Sequence, residues 1–241
     1  MRISDKNFQH FENQESFDFN NIKAIIFDLD DTLFEEKDFV LSGFNAVAID
    51  IAKTANTEKE IVFNFLLREF YQKGRGKIFN ATLQHFSLND RPDEITRLVQ
   101  LYRNHTANIN FYPKVKSLLK RLRKQFRLAI VTDGATEIQT NKVRALGLQE
   151  LVDYVVYCWE IEAPKPDPKG YEMVLDYFNL PAEQAMIIGD HSLNDISAGN
   201  KLGTWTTRVH TGRFSNLPHV ETAIPNFDIG IVTDIEEYFF R

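Results

Sequence analysis

A chain of 241 residues, 43% hydrophobic and 26% charged, has ordinary globular composition and is long enough for one large domain or a domain carrying an insertion, which excludes a disordered or fibrous protein. Its 28 Lys and Arg against 34 Asp and Glu give a net charge of −6, and no basic block is longer than residues 120–124, so the electrostatic footprint of a nucleic-acid binder is missing. The one cysteine, Cys158, excludes an intramolecular disulfide and a Cys-rich metal cluster and reads as a buried strand residue.

The first 21 residues interleave Asp5, Glu12, Glu15 and Asp18 with Phe8, Phe11, Phe17 and Phe19, which is not the pattern of a signal peptide. This aromatic arm could dock on the core or on a partner. No later run approaches the ~20 apolar residues that cross a bilayer, so the expectation is a soluble cytoplasmic protein with no membrane partner. Residues 22–27 are apolar apart from Lys23 and end in acidic residues, as a buried parallel strand would. Short apolar or β-branched runs recur at 128–131, 152–157, 185–188, 205–209 and 227–232, and the gaps between them are long enough for helices.

Pro113 stands where a first helical residue belongs, ahead of Val115, Leu118, Leu119 and Leu122 at helical spacing. Ile138, Lys142, Ala145 and Leu146 form a weaker stripe that Gly147 stops. Residues 171–178 and 194–202 supply two more helices. Strands alternating with helices predict an α/β fold with a parallel sheet covered on both faces. The exception is residues 36–108, where Phe39, Phe44, Val47 and Ile51, then Ile61, Phe65 and Phe70, then Ile95, Leu98 and Tyr102 recur at helical spacing. The economical reading is a core of residues 1–35 and 109–241, with 1–21 as its arm, and a helical insertion over 36–108.

Ligands of open α/β sheets bind beyond the carboxyl ends of the strands. The first strand ends in Asp28-Leu29-Asp30-Asp31-Thr32, the second in Thr132-Asp133-Gly134, and the strand from Ala185 in Gly189-Asp190, with Asp195 close behind. Asp28, Asp30, Asp190 and Asp195 could share a crevice only with a cation among them, and oxygen ligands without His or Cys select Mg²⁺ over zinc. Asp28 and Asp30 can reach one substrate only if the chain leaves the strand at Leu29. Asp28 is then a plausible nucleophile and Asp30 a proton donor to the leaving oxygen and later a base for water. Thr132 and Lys165, the latter between Pro164 and Pro166, offer a hydroxyl and an ammonium to a phosphate.

These pieces resemble the four motifs of the haloacid dehalogenase superfamily, in the subclass with a helical cap after the first motif. Residues 25–33 resemble motif one, 130–134 motif two, 165–168 motif three, and 188–190 with Asn194 and Asp195 motif four. The resemblance covers residues 22–209 and implies a Rossmann-like core, Asp28 as nucleophile and metal ligand, Asp30 as general acid/base with its carbonyl on the metal, and Thr32 supporting the loop. It implies that Thr132, Asp133 and Lys165 hold the phosphoryl group and that Asp190 and Asp195 ligate Mg²⁺. Asp31 stands where many members have Gly, Asp133 where many phosphatases have Asn, and His191 where Ser is common.

The activity so implied is hydrolysis of the phosphate monoester of a small metabolite such as a sugar, nucleotide or polyol phosphate, with a dehalogenase, a phosphomutase and a catalytically silent binding protein as alternatives. Asp30 argues against the dehalogenase, which needs neither that acid nor a metal. Arg75, with Lys73 and Lys77, could belong to a loop that touches substrate, or lie in a solvated turn between helices. His85, His105 and His210 show no partner at metal-ligand spacing and are read as surface or packing residues.

Overall fold

The computed structural model describes residues 19–240. In chain order its elements are β1 (Ala24–Phe27), α1 (Glu36–Ala55), α2 (Lys59–Lys73), α3 (Ile78–His85), α4 (Pro92–Asn104), α5 (Val115–Leu122), β2 (Arg127–Thr132), α6 (Thr136–Leu146), β3 (Tyr154–Tyr157), α7 (Lys169–Phe178), β4 (Ala185–Gly189), α8 (Ser197–Leu202), β5 (Trp205–Val209), β6 (Phe227–Ile229) and α9 (Glu236–Phe239). The chain divides into two compact units. One holds the described residues up to Glu36, Asn110–Gln139 and those from Leu146 onward; the other holds Lys37–Ile109 and Thr140–Ala145.

In the first unit the strands form one parallel sheet in the order β3-β2-β1-β4-β5-β6, so the Rossmann-like α/β architecture stands. β1 is Ala-Ile-Ile-Phe, fully buried along its length, because a central strand between two helical layers has no solvent face. Alternation sorts its neighbours. Ala24, Ile26, Ala129, Val131, Ala185 and Ile187 pack with Tyr171 and Val174 of α7 and Ala198 of α8, while Ile25, Phe27, Leu128, Ile130, Met186 and Ile188 are buried on the opposite face. Each such Ile or Leu contributes about 1.5–3 kcal/mol by leaving water. Phe27 lies level with Ile130 of β2 and Ile188 of β4, and strand order reverses between β1 and β4, which opens a crevice beyond their ends.

Some expected boundaries shift. Phe19–Asn21 forms a 3-10 turn ahead of β1, and β6 stops at Ile229, followed by another 3-10 turn at Val232–Ile235. Pro113 lies in the turn before α5 rather than at its first position, because Lys114 takes a left-handed conformation (φ 68°) that separates the two. In α6 the buried stripe is Gln139, Lys142, Val143 and Leu146, with Ala145 exposed. Cys158 sits just past the end of β3, fully buried, and burial pushes its thiol up to about 12. Of the N-terminal arm, Phe19 stacks on Tyr238 at 5.5 Å and meets Phe239 edge-on at 5.3 Å; residues 1–18 lie outside the described residues.

The second unit gathers α1 to α4 around Phe44, Val47, Ile51, Val62, Leu66 and Leu98. Gly43 permits close approach of α1 and α4, since a Cβ there would stand 2.5 Å from the Tyr102 ring. His105 Nδ1 donates to Tyr102 O (2.7 Å) and its Nε2 meets Ser42 Oγ (3.0 Å), and His85 stacks on Phe65, so both are packing residues. The Arg75 guanidinium lies 6.0 Å from the centre of the Phe70 ring. Among the described residues no helix is long and apolar enough to cross a membrane.

Candidate active site

The site begins where β1 stops. Asp28 N still donates to Ile188 O of β4 (2.9 Å), after which Leu33 N closes a turn onto Leu29 O (3.1 Å). The turn requires a left-handed residue, and Asp31 supplies it at φ 56°. Aspartate tolerates this conformation better than most residues because its short carboxylate can bond locally. Here Asp31 Oδ1 accepts from Glu36 N (2.8 Å), Oδ2 from Arg213 N (3.2 Å), and the Asp31 carbonyl accepts from the Thr211 hydroxyl. The aspartate thus does what glycine would do and adds two side-chain ties to the loop.

Both oxygens of Asp28 are engaged. Lys165 Nζ donates to Oδ1 at 2.6 Å and Thr32 Oγ1 to Oδ2 at 3.2 Å. Lys165 Nζ also donates to Asp195 Oδ1 (2.7 Å), an oxygen that accepts in addition from Tyr171 OH (2.8 Å). Burial opposes the charge on Lys165, but Asp195 and Asp28 outweigh it and hold its pKa well above the ordinary value. Asp28 shows the complementary imbalance: burial, with repulsion from Asp195, lifts its carboxyl to about 7 against the pull of Lys165. Burial likewise lifts Asp190 to about 9, with Asp28 and Asp195 as the next causes. One ammonium cannot neutralise three buried carboxylates.

Asp195 arrives by a local distortion. The helix expected at 194–202 opens with a π-helical turn, Ser192–Ile196, before α8; the extra residue in that turn lets Asp195 Oδ2 fold back to accept from His191 N (3.1 Å). Gly189 makes room, since a Cβ there would lie 2.5 Å from Asp195 Cγ. Asp28, Asp190 and Asp195 each offer an oxygen within 4.8 Å of the others, and Asp190 Oδ2 is buried with no donor among the described residues. An unpaired buried carboxylate oxygen in an all-oxygen set fits a hard divalent cation such as Mg²⁺. Asp30 contributes no side-chain oxygen to that group.

At the end of β2, Thr132 Oγ1 is buried without a donor or acceptor among the described residues, an orphan suited to an incoming ligand. The Asp133 carboxylate accepts from Lys165 N (3.2 Å) and so ties the second loop to the third. Gln139 of α6 reaches back, its Nε2 donating to Asp133 O (2.8 Å) and to Asp30 Oδ2 (3.1 Å).

A second polar group lies beyond β5 and β6. Arg208, 1% exposed, donates to Asp190 O, Phe214 O and Leu217 O. His210 Nε2 stands 2.6 Å from Asp228 Oδ1 and His219 Nε2 3.0 Å from Asp228 Oδ2. His210 therefore does have partners, close in space though 9 and 18 residues away in sequence. The spacing would suit a metal, but His219 Nδ1 faces Arg208 Nη1 at 3.1 Å and must accept there; a metal on Nε2 would leave Nδ1 protonated against a guanidinium. His210 Nδ1 meets Ser215 O at 2.9 Å while its Nε2 meets the carboxylate, so both ring nitrogens face acceptors, which favours the protonated ring. The trio closes as a hydrogen-bonded network.

Sequence reasoning missed Gln139, Tyr171, Arg208 and Thr211. Tyr171 was legible only as a helix residue, and a buried arginine in a strand carries no motif. The one available signal was a polar residue, Gln139, one turn ahead of the apolar Val143 and Leu146 of α6.

The profile of the haloacid dehalogenase-like hydrolase family matches residues 25–209. A glyceraldehyde 3-phosphate phosphatase of Methanocaldococcus jannaschii is 30% identical over 201 residues, covering 81% of this chain and 88% of that protein. A pyrophosphatase of Bacillus anthracis is 26% identical over 220 residues, covering 89% and 94%. In fold, a HAD-hydrolase from Bacillus subtilis solved bound to magnesium superposes with a TM-score of 0.64 at 20% identity, over 91% of this chain and 99% of that one. With the profile spanning most of the chain and the parallel sheet bringing Asp28, Lys165, Asp190 and Asp195 together, the protein belongs to the haloacid dehalogenase-like hydrolases.

Proposed function

We propose that this protein is a magnesium-dependent phosphohydrolase that cleaves the phosphate monoester of a small metabolite through an aspartyl phosphate on Asp28. The observation that carries the proposal is the environment of Asp28: a buried carboxylate at the switch point of the sheet, held by Lys165 and Thr32 beside an unpaired Asp190 oxygen. A phosphatase relative that acts on glyceraldehyde 3-phosphate supports a short phosphorylated substrate.

An oxygen of Asp28 attacks phosphorus in line; the bond from phosphorus to the ester oxygen breaks and the bond from Asp28 to phosphorus forms. Asp30 gives its proton to the departing oxygen, then takes one from the water that hydrolyses the acyl phosphate. Lys165, displaced in part from Asp28 as charge moves to the phosphoryl oxygens, donates to them together with Thr132 Oγ1. Asp133 holds the Lys165 backbone in place. Asp28, Asp190 and Asp195 would hold Mg²⁺, with the Asp30 carbonyl a further ligand; a bound ion would supply positive charge that offsets the charge of nucleophile and phosphate. Thr32 fixes the second oxygen of Asp28.

The test is phosphate release from p-nitrophenyl phosphate and from a panel of metabolite phosphates that includes glyceraldehyde 3-phosphate, with Mg²⁺ and with excess chelator. Turnover that needs Mg²⁺ and vanishes in Asp28→Asn is the expected result. Undiminished turnover in chelator would sink the metal assignment, and no release from any ester would sink the phosphatase.

A further inference from the structure

The buried amide of Gln139 is poorly explained by packing. Gln139 lies on the inner face of α6, 3% exposed, and its Oε1 is buried with no donor among the described residues. An apolar side chain would fill the position without stranding an acceptor. What the amide provides is at the other end: one Nε2 hydrogen goes to Asp133 O at 2.8 Å and the other to Asp30 Oδ2 at 3.1 Å.

The orientation of that amide is fixed. Asp133 O is a carbonyl and can only accept, so the NH₂ group must face it, and the same NH₂ then faces Asp30. The approach is tight. Gly134, at φ 124°, lies against the amide, and a Cβ there would stand 2.8 Å from Gln139 Nε2. A donor aimed permanently at Asp30 Oδ2 means that this oxygen accepts whether the carboxyl is charged or neutral. Because the carbonyl oxygen of a neutral carboxyl is its better acceptor, this donor favours the acid proton on Oδ1. Gln139 makes no hydrogen bond to Asp28, Asp190 or Asp195, so its reach into the site is through Asp30.

We infer that Gln139 is a positioning residue of the general acid/base, holding the Asp30 carboxyl by Oδ2 so that Oδ1 carries the proton transferred to the leaving oxygen. The inference rests on the phosphatase reading, in which Asp30 is that acid. It predicts a loss that depends on the leaving group, because an ester that departs readily as an anion needs the proton least.

Gln139→Met keeps the length and bulk of the side chain and removes the donor. The measurement is kcat/KM for p-nitrophenyl phosphate and for phenyl phosphate, whose leaving group is the more basic. The ratio of the two does not depend on how much of the preparation is folded, and Gln139→Leu serves in the same comparison should the methionine variant not accumulate. The ratio should rise about tenfold in Gln139→Met and further in Asp30→Asn. In the Asp30→Asn background, Gln139→Met should leave the ratio where Asp30→Asn alone sets it. An unchanged ratio in Gln139→Met while Asp30→Asn raises it would overturn the role of Gln139 alone. An unchanged ratio in Asp30→Asn would overturn the acid itself, and absence of turnover in the wild type would overturn the phosphatase reading with it.

Discussion

Replacing Lys165 by methionine removes the charge at the centre of the site and keeps most of the stem that packs there. In the wild type Nζ lies 2.6 Å from Asp28 Oδ1 and 2.7 Å from Asp195 Oδ1, and the lysine side chain is 1% exposed against 11% and 2% for the two aspartates. Removing one partner of a buried ion pair strands the other charge and costs about 3–5 kcal/mol. For a chain of this length that lowers Tm by roughly 6–20 °C. Asp195→Asn should relieve part of the penalty: the double variant should be more stable than the two single losses predict by about 0.5–3 kcal/mol. Urea unfolding in chelator, which removes stabilisation by bound metal, can be followed through Trp159 and Trp205, both in the sheet unit. A loss below about 1 kcal/mol in Lys165→Met, or strict additivity with Asp195→Asn, would refute the claim that the lysine holds these two carboxylates.

Gly189→Ala places a methyl 2.5 Å from Asp195 Cγ; it should weaken Mg²⁺ binding by at least about tenfold, seen by calorimetric titration, and unchanged affinity would show that Asp195 is not a ligand. The His210–Asp228 pair predicts a pH effect. The hydrogen bond from His210 to Asp228 raises the His210 pKa against the opposing pull of burial, so the folded state binds this proton more tightly than the unfolded chain. The stabilisation is fully present below the unfolded value, about 6.5, and is lost as pH rises through the folded one. Asp228, held low by the two histidines in spite of burial, contributes above the ordinary carboxylate range and loses this as pH falls through its folded value. Asp228→Asn should therefore cost more stability at about pH 6 than at about pH 9; an equal shift in urea midpoint at both would show that His210 is not the charged partner, Arg208 and His219 being other groups that act on Asp228.

Much of the fold was legible in residue order because its causes are local or periodic. A short run such as Ala24–Phe27 with no polar residue, followed at once by acidic residues, reads as an interior strand, and acidic residues clustered just after such runs mark the edge of the sheet where ligands bind. Boundaries were less legible, since they turn on single backbone states such as the left-handed Lys114 that detaches Pro113 from α5. His210, His219 and Asp228 left no trace at all, because no spacing along the chain encodes their meeting.

The sequence by itself determined the class of the protein: alternating strands and helices, a helical insertion after the first strand, and Asp28, Asp30, Thr132, Lys165, Asp190 and Asp195 in an order that a parallel sheet converts into a single edge. Only the tertiary structure decided how those groups engage one another. Lys165 is shared between Asp28 and Asp195, Asp190 keeps an oxygen without a donor among the described residues, and Gln139 turns inward to hold Asp30. The physical reason is range. Burial and periodicity act through a few neighbouring residues and are written in composition, whereas a hydrogen bond of about 3 Å between residues 109 positions apart exists only once the chain has closed around it.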